Sequence, residues 1–145
     1  IEDYNQEDYV EAVEWFKKAA EKKHVEAQFY LGECYDLGQG VTKNKVEAMK
    51  WFRKAAEQGH ADAQFRMGCF YYGGSYVAED LAEAEKWFRK AAEQGHASAQ
   101  RNLGIMYKVG DGVNKDITEA IKWFRKAAEQ GDAWAREQVQ QLERK

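Results

Sequence analysis

The sequence predicts an all-α fold, an α-solenoid of about four stacked antiparallel helix pairs. Three observations predict it. Trp-Phe pairs fall at 15–16, 51–52, 87–88 and 123–124, a constant step of 36 residues. The run Trp-Phe-Arg-Lys-Ala-Ala-Glu-Gln-Gly stands verbatim at 51–59, 87–95 and 123–131, with a degraded copy at 15–23. Proline is absent, so no helix is forced to break and glycine is left as the strong punctuation. A fixed period of about 20 to 50 residues marks a stacked-repeat architecture.

The elements follow in chain order within a single domain, 1–145. Residues 5–23 supply only a second helix, an opening half-repeat. Full repeats run at about 24–59, 60–95 and 96–131, and residues 132–145 form a C-terminal capping helix. Each first helix starts near His24, His60, His96 or Asp132 and carries a recurrent Ala-Gln, at 27–28, 63–64 and 99–100. Leu31-Gly32, Met67-Gly68 and Leu103-Gly104 follow, then Tyr35, Tyr71 and Tyr107. Each second helix is expected to start at a capping residue, Asp8, Asn44, Asp80 or Asp116. A glutamate stands three residues on, at Glu11, Glu47, Glu83 and Glu119. An Asx oxygen and a nearby carboxylate satisfy the amides that a helix start leaves unpaired. Gly59, Gly95 and Gly131 suit the left-handed position that ends such a helix. Lys23 stands there in the first copy, so that end is less well specified. In the connecting loops Gly40 and Gly112 are expected at positive φ, where the second repeat has Tyr76.

Ala48, Trp51 and Ala55 form one stripe of the second helix, and Phe52 and Ala56 another. A helix apolar on two stripes needs two covers. The expected covers are the first helix of its own repeat and that of the next. Such a unit buries little alone and much when stacked. The last helix replaces the recurrent glycine by Gln140 and ends in charge, as a solenoid cap requires.

These motifs, in fixed order over residues 5–140, resemble the Sel-1-like repeat, a relative of the tetratricopeptide repeat. The Trp-Phe-Arg-Lys-Ala-Ala-Glu-Gln-Gly blocks, Ala-Asp-Ala-Gln at 61–64 and Gly-Asp-Gly-Val-Asn-Lys-Asp at 110–116 carry the resemblance. It implies a right-handed superhelix and a non-enzymatic scaffold or adaptor that holds other proteins together. In bacterial relatives an opening half-repeat like residues 3–22 often follows an exported leader. That points to a periplasmic or secreted protein, with the cytoplasm as the alternative. No initiating methionine is present, so the N-terminus is expected to be processed or internal to a longer chain.

Charge and chemistry narrow the function further. With 22 basic and 25 acidic side chains the net charge is −3, and no basic excess calls for nucleic acid. The apolar runs are too short to span a bilayer. Cys34 and Cys69 match no zinc, redox or haem spacing. His24, His60 and His96 recur one per repeat, along one edge, rather than converging on an ion, so no metal is expected. Ser75 and Ser98 lie in no nucleophile motif, and the Gly-x-Gly turns follow no strand, so neither a catalytic residue nor a cofactor is expected. Lys50, Arg53 and Lys54 recur in each repeat as a basic stripe, interrupted by Glu57, Glu93 and Glu129, and read as a solvated outer face.

Comparison of the repeats with one another separates stacking from function. Positions that recur are needed by the stack; positions that vary are free. On the first helices the varying positions fall opposite the recurring ones at 100° per residue. They should line a concave groove. The candidates there are Tyr30, Glu33, Phe65, Arg66, Tyr72, Arg101, Asn102, Ile105, Trp134 and Gln138. Tyr, Trp and Arg dominate protein-binding energetics, so the expected ligand is a peptide or partner helix held by a monomer. The alternative is a small-molecule or cell-wall-fragment binder with hydrolase activity.

Overall fold

A computed structural model describes residues 6–74 and 76–144. Asp3, Asn5, Ser75 and Lys145, which the sequence reading includes, lie outside them. The described residues form eight helices and no strand: α1 (Gln6–Glu21), α2 (Val25–Leu37), α3 (Lys45–Glu57), α4 (Ala61–Gly73), α5 (Leu81–Glu93), α6 (Ala97–Val109), α7 (Ile117–Glu129) and α8 (Ala133–Glu143). They gather into two compact units, Ile1–Ala63 and Gln64–Lys145.

In the first unit α2 packs against both α1 and α3. Trp51 is 9% exposed and shares a core with Val13 and Ala20 of α1 and Ala27, Leu31 and Cys34 of α2. Phe52 is fully buried and presses on Gly32, where a Cβ would stand 2.7 Å from its ring. In the second unit α6 packs between α5 and α7, and α7 on α8. Trp123 is 2% exposed among Ala84, Phe88, Ala91 and Ala92 of α5 and Ala99, Leu103 and Met106 of α6. Phe88 meets Gly68, and Phe124 meets Gly104, as Phe52 meets Gly32.

The two expected covers are present on α7: α6 of its own repeat on one side, and α8 on the other through Ala135 beside Phe124 and Ala127. The tryptophan reaches further, to the second helix of the preceding repeat. The alanines of the preceding second helix (Ala20, or Ala84, Ala91 and Ala92) leave room for the indole to reach across. Trp15 of α1 is 71% exposed.

The helix ends follow the predicted chemistry with one exception. Asn44, Asp80 and Asp116 accept from the amides of Glu47, Glu83 and Glu119 at 3.0–3.1 Å. Asp8 is not a cap: it lies in the first turn of α1, which already starts at Gln6. Gln6 and Glu7 are good helix formers, and they extend the helix past the capping position. Gly59, Gly95 and Gly131 hold φ of 95°, 93° and 101°, and Lys23 is forced to 65° in the same turn. Gly40 and Gly112 take φ of 72° and 70°, and the Tyr76 ring packs edge-on to Phe70 at 6.4 Å.

Two recurrent side chains have roles the sequence did not reveal. The histidines are caps: Nδ1 of His24, His60 and His96 accepts from the amides of Ala27, Ala63 and Ala99 at 3.1–3.2 Å. Asp132 does the same for Ala135 at 2.9 Å. The buried glutamines are staples. Gln28 donates to the Ala20 carbonyl at 3.2 Å, and Gln100 to that of Ala92 at 3.1 Å. Each then accepts from a glutamine at the end of its own second helix, Gln58 at 2.7 Å or Gln130 at 2.8 Å. A buried amide is tolerated only when paired in this way. The pairings tie a first helix to the second helices on either side.

Candidate functional site

The varying face of the first helices holds the candidate binding residues, and the structure sorts them. On α2, Tyr30 is 45% exposed and stacks on Phe16 at 5.6 Å between ring centres. Glu33, one turn on, is half-buried. Both are presented by a helix fixed from behind by Leu31 and Cys34.

In the second unit the residues fall into two groups. Tyr72 at the end of α4 and Asn102 and Ile105 on α6 converge on a pocket of about 70 Å³, with Phe88 of α5 as its fourth wall. Tyr72 reaches it because its hydroxyl donates to Asp111 Oδ2 at 3.2 Å, in the loop after α6. Burial pushes the Tyr72 phenol up, and the Asp111 carboxylate that accepts its hydrogen bond adds to this, so it stays a neutral donor. Ile105 packs on the core that contains Phe124, which fixes its position. The Asn102 amide is half-exposed between them.

The second group is Arg101 and Trp134. The guanidinium lies 4.4 Å from the centre of the Trp134 ring, and its Nε is 3.4 Å from Asp132 Oδ2. Trp134 is half-buried and meets Phe124 edge-on at 5.6 Å. A cation over an indole face holds both flat side chains in place.

The remaining candidates stand elsewhere. Phe65 is half-buried, stacked on His96 at 4.7 Å and tilted against Phe88 at 5.8 Å, so much of its ring belongs to the stack. Arg66 is half-buried on the next position of α4. Gln138 is 7% exposed and accepts from Lys108 Nζ at 2.7 Å, so it is committed to the interior. Sequence comparison missed Phe88 and Asp111. Phe88 recurs in every repeat and reads as pure stacking, although one edge of its ring faces the pocket. Asp111 sits in a loop, and only the fold brings it to Tyr72.

The basic stripe is not free charge. Lys50 and Lys54 lie 5.2 and 5.0 Å from the Trp51 ring centre, and Lys122 and Lys126 lie 5.0 and 4.8 Å from that of Trp123. Both cysteines are free. Among the described residues, no helix is long and apolar enough to cross a membrane.

Helix pairs of this build, recurring every 36 residues with a tryptophan against the previous pair, are shared with a known family. The Sel1 repeat matches at residues 5–24, 25–60, 61–96 and 97–132. The chain belongs to the Sel1 repeat family. Its fold class is that of the all-α solenoids built from these repeats. A Sel1 repeat protein from Oxalobacter formigenes superposes with a TM-score of 0.84 at 42% identity, over 91% of this chain and 54% of that one. The protective antigen c5321 of uropathogenic Escherichia coli gives 0.81 at 46% identity, over 85% and 26%. Cysteine-rich protein B of Helicobacter pylori gives 0.70 at 27% identity, over 92% and 96%. The chain thus spans about half of the first and a quarter of the second. No curated protein matches it. Sel1 repeat proteins are in general scaffolds for protein–protein interaction, and mostly not enzymes.

Proposed function

We propose that this chain is a non-enzymatic scaffold that binds an extended peptide or partner helix on the varying face of its first helices. The observation that carries the reading is the pocket formed by Tyr72, Phe88, Asn102 and Ile105. Three of these four residues vary between repeats, and they meet at one point. At about 70 Å³ the pocket falls well below the roughly 300–1,000 Å³ of a small-molecule site. It has the size of one small apolar side chain, with the Asn102 amide at its rim to hydrogen-bond a peptide backbone. Arg101 on Trp134 supplies a second, charged and aromatic contact on the same kind of face. Such side chains concentrate the binding energy of peptide interfaces.

The test is selection of displayed random peptides on the intact protein, followed by calorimetry. Asn102→Ala and Ile105→Asp are expected to weaken the selected peptides by about 1–2 kcal/mol or more. Lys50→Ala and Lys86→Ala, on the tryptophan-covering stripe, are expected to leave them unchanged. Peptides that bind the pocket variants as well as the parent, or that lose binding only with the lysine variants, would refute the reading.

A further inference from the structure

Arg101 stands where the earlier repeats carry Phe29 and Phe65. Those rings stack on the capping histidines His60 and His96 at 4.5 and 4.7 Å. A phenylalanine serves the stack at this position, so packing alone does not call for a cation. Arg101 is nonetheless held in place. Its guanidinium lies 4.4 Å from the centre of the Trp134 ring, and its buried Nε is 3.4 Å from Asp132 Oδ2 without a hydrogen bond. Asp132 is already engaged through Oδ1, which accepts from the Ala135 amide at 2.9 Å. The two terminal amino groups of Arg101 make no hydrogen bond to any described residue, and the side chain is 41% exposed. They form a fork of N–H donors on a flat group whose position is already fixed.

The charge and spacing along α6 indicate what those donors receive. The helix carries Arg101 and Lys108 and no acidic residue. Lys108 lies two turns on, along the same side of the helix. It donates to Gln138 at 2.7 Å and forms no ion pair among the described residues, so an amide holds it and leaves its charge unbalanced. The pocket is close by. Asn102 at its rim is the next residue after Arg101, about 3.8 Å away between Cα atoms and about 100° round the helix. Ile105 of the pocket and Trp134 behind the guanidinium pack on one core, built on Phe124. A ligand with a side chain in the pocket therefore passes the guanidinium within one or two residues.

We propose that the occupant of this face is an extended acidic peptide segment, with one Asp or Glu on Arg101, a second on Lys108, and a small apolar residue between them in the pocket. This rests on the reading of the pocket as a peptide site. A guanidinium meets a carboxylate through two parallel N–H donors, the geometry that the terminal amino groups of Arg101 offer. Trp134 already fixes the plane of the group, so little freedom is lost when the acid arrives. The spacing selects a segment over a chain end. Residues 101 and 108 stand about 10 Å apart along the axis of α6. A single carboxylate cannot span that distance, whereas about three residues of extended chain do. The ligand thus runs along α6, and its backbone passes the Asn102 amide.

Peptides selected from a displayed random library, then synthesised with amidated C-termini, test the proposal by calorimetry on the intact protein. They are expected to carry two acids about three residues apart around a small apolar residue, and to bind more weakly as salt is added. Changing those acids to Asn or Gln is expected to weaken binding to the parent protein by about 10- to 100-fold. Arg101→Gln is expected to lose as much against the acidic peptide, and to bind the neutralised peptide as the parent does. Lys108→Gln is expected to matter only when the second acid is present. Removing the charge from the peptide tests the contact without touching the fold of the protein. Selected peptides that lack acids, or that lose nothing when the acids or Arg101 are changed, overturn the proposal; if they still depend on Asn102, the pocket reading stands. Peptides that bind only with a free C-terminal carboxylate overturn it in favour of a chain end. Peptides indifferent to Asn102→Ala, or a library that yields no binder, overturn the pocket reading and this one with it.

Discussion

Gly104→Ala sets two known effects against each other and shows which the fold obeys. In an isolated helix alanine is better than glycine by about 0.8–1 kcal/mol. In this structure a Cβ at residue 104 would stand 2.5 Å from Cε1 of Phe124, 2.6 Å from Cδ1 and 2.9 Å from Cζ. Carbon atoms rest at about 3.5–4.0 Å, so the overlap is about 1 Å. Phe124 cannot retreat easily, because it is fully buried and Trp134 stands edge-on to it at 5.6 Å. The contact must be relieved by parting α6 from α7, and overpacking of this kind costs about 1–3 kcal/mol. The expected net effect is a loss of about 1–2 kcal/mol, the steric cost less the helix gain. Urea melts followed by circular dichroism measure it. Gly104→Ala combined with Phe124→Leu should lose less than the sum of the two single changes, because the shortened side chain admits the methyl group. A Gly104→Ala protein as stable as the parent would refute the reasoning. It would show that the glycine recurs for some reason other than the ring pressed on it.

The remaining predictions follow the same packing. Trp123→Ala should cost about 3–5 kcal/mol, as for a large buried side chain. Trp15→Ala should cost less than about 1 kcal/mol in dilute solution; equal losses in denaturant melts would contradict the burial difference. Lys23→Gly should stabilise by about 1 kcal/mol by relieving a side chain held at positive φ, read as a higher urea midpoint. His96→Ala should cost about 1 kcal/mol for the lost cap and about 0.5–1.5 kcal/mol more for the ring stacked on Phe65. His96→Asp keeps the cap and should recover the first part only, which thermal melts of the two variants would resolve.

Most of the secondary structure was legible because it depends on local chemistry. Asn44, Asp80 and Asp116 cap helices through amides three residues away. Gly59, Gly95 and Gly131 take a conformation that the residue type itself favours. Where local chemistry was ambiguous the reading slipped. Asp8 has the same spacing to Glu11 as the true caps, but Gln6 and Glu7 carry the helix past it. The candidate site was legible as a face and not as a place. Repeat comparison finds Tyr72, Asn102 and Ile105 because they vary between repeats, but it cannot show that they meet. That depends on Asp111 holding Tyr72 from a distant loop and on Phe88 completing the pocket.

The sequence by itself determined the period, the helix pairs, the capping residues and the family, since a repeated interface writes the same residues at the same spacing each time. Only the tertiary structure decided which neighbour each side chain serves. It turned Trp51 and Trp123 towards the preceding second helix. It made a staple of Gln28 and Gln100 between neighbouring helices. A period fixes spacing along the chain. The direction in which an indole or an amide reaches depends on which backbone stands close enough to receive it, and distance in space is not written in the order of residues.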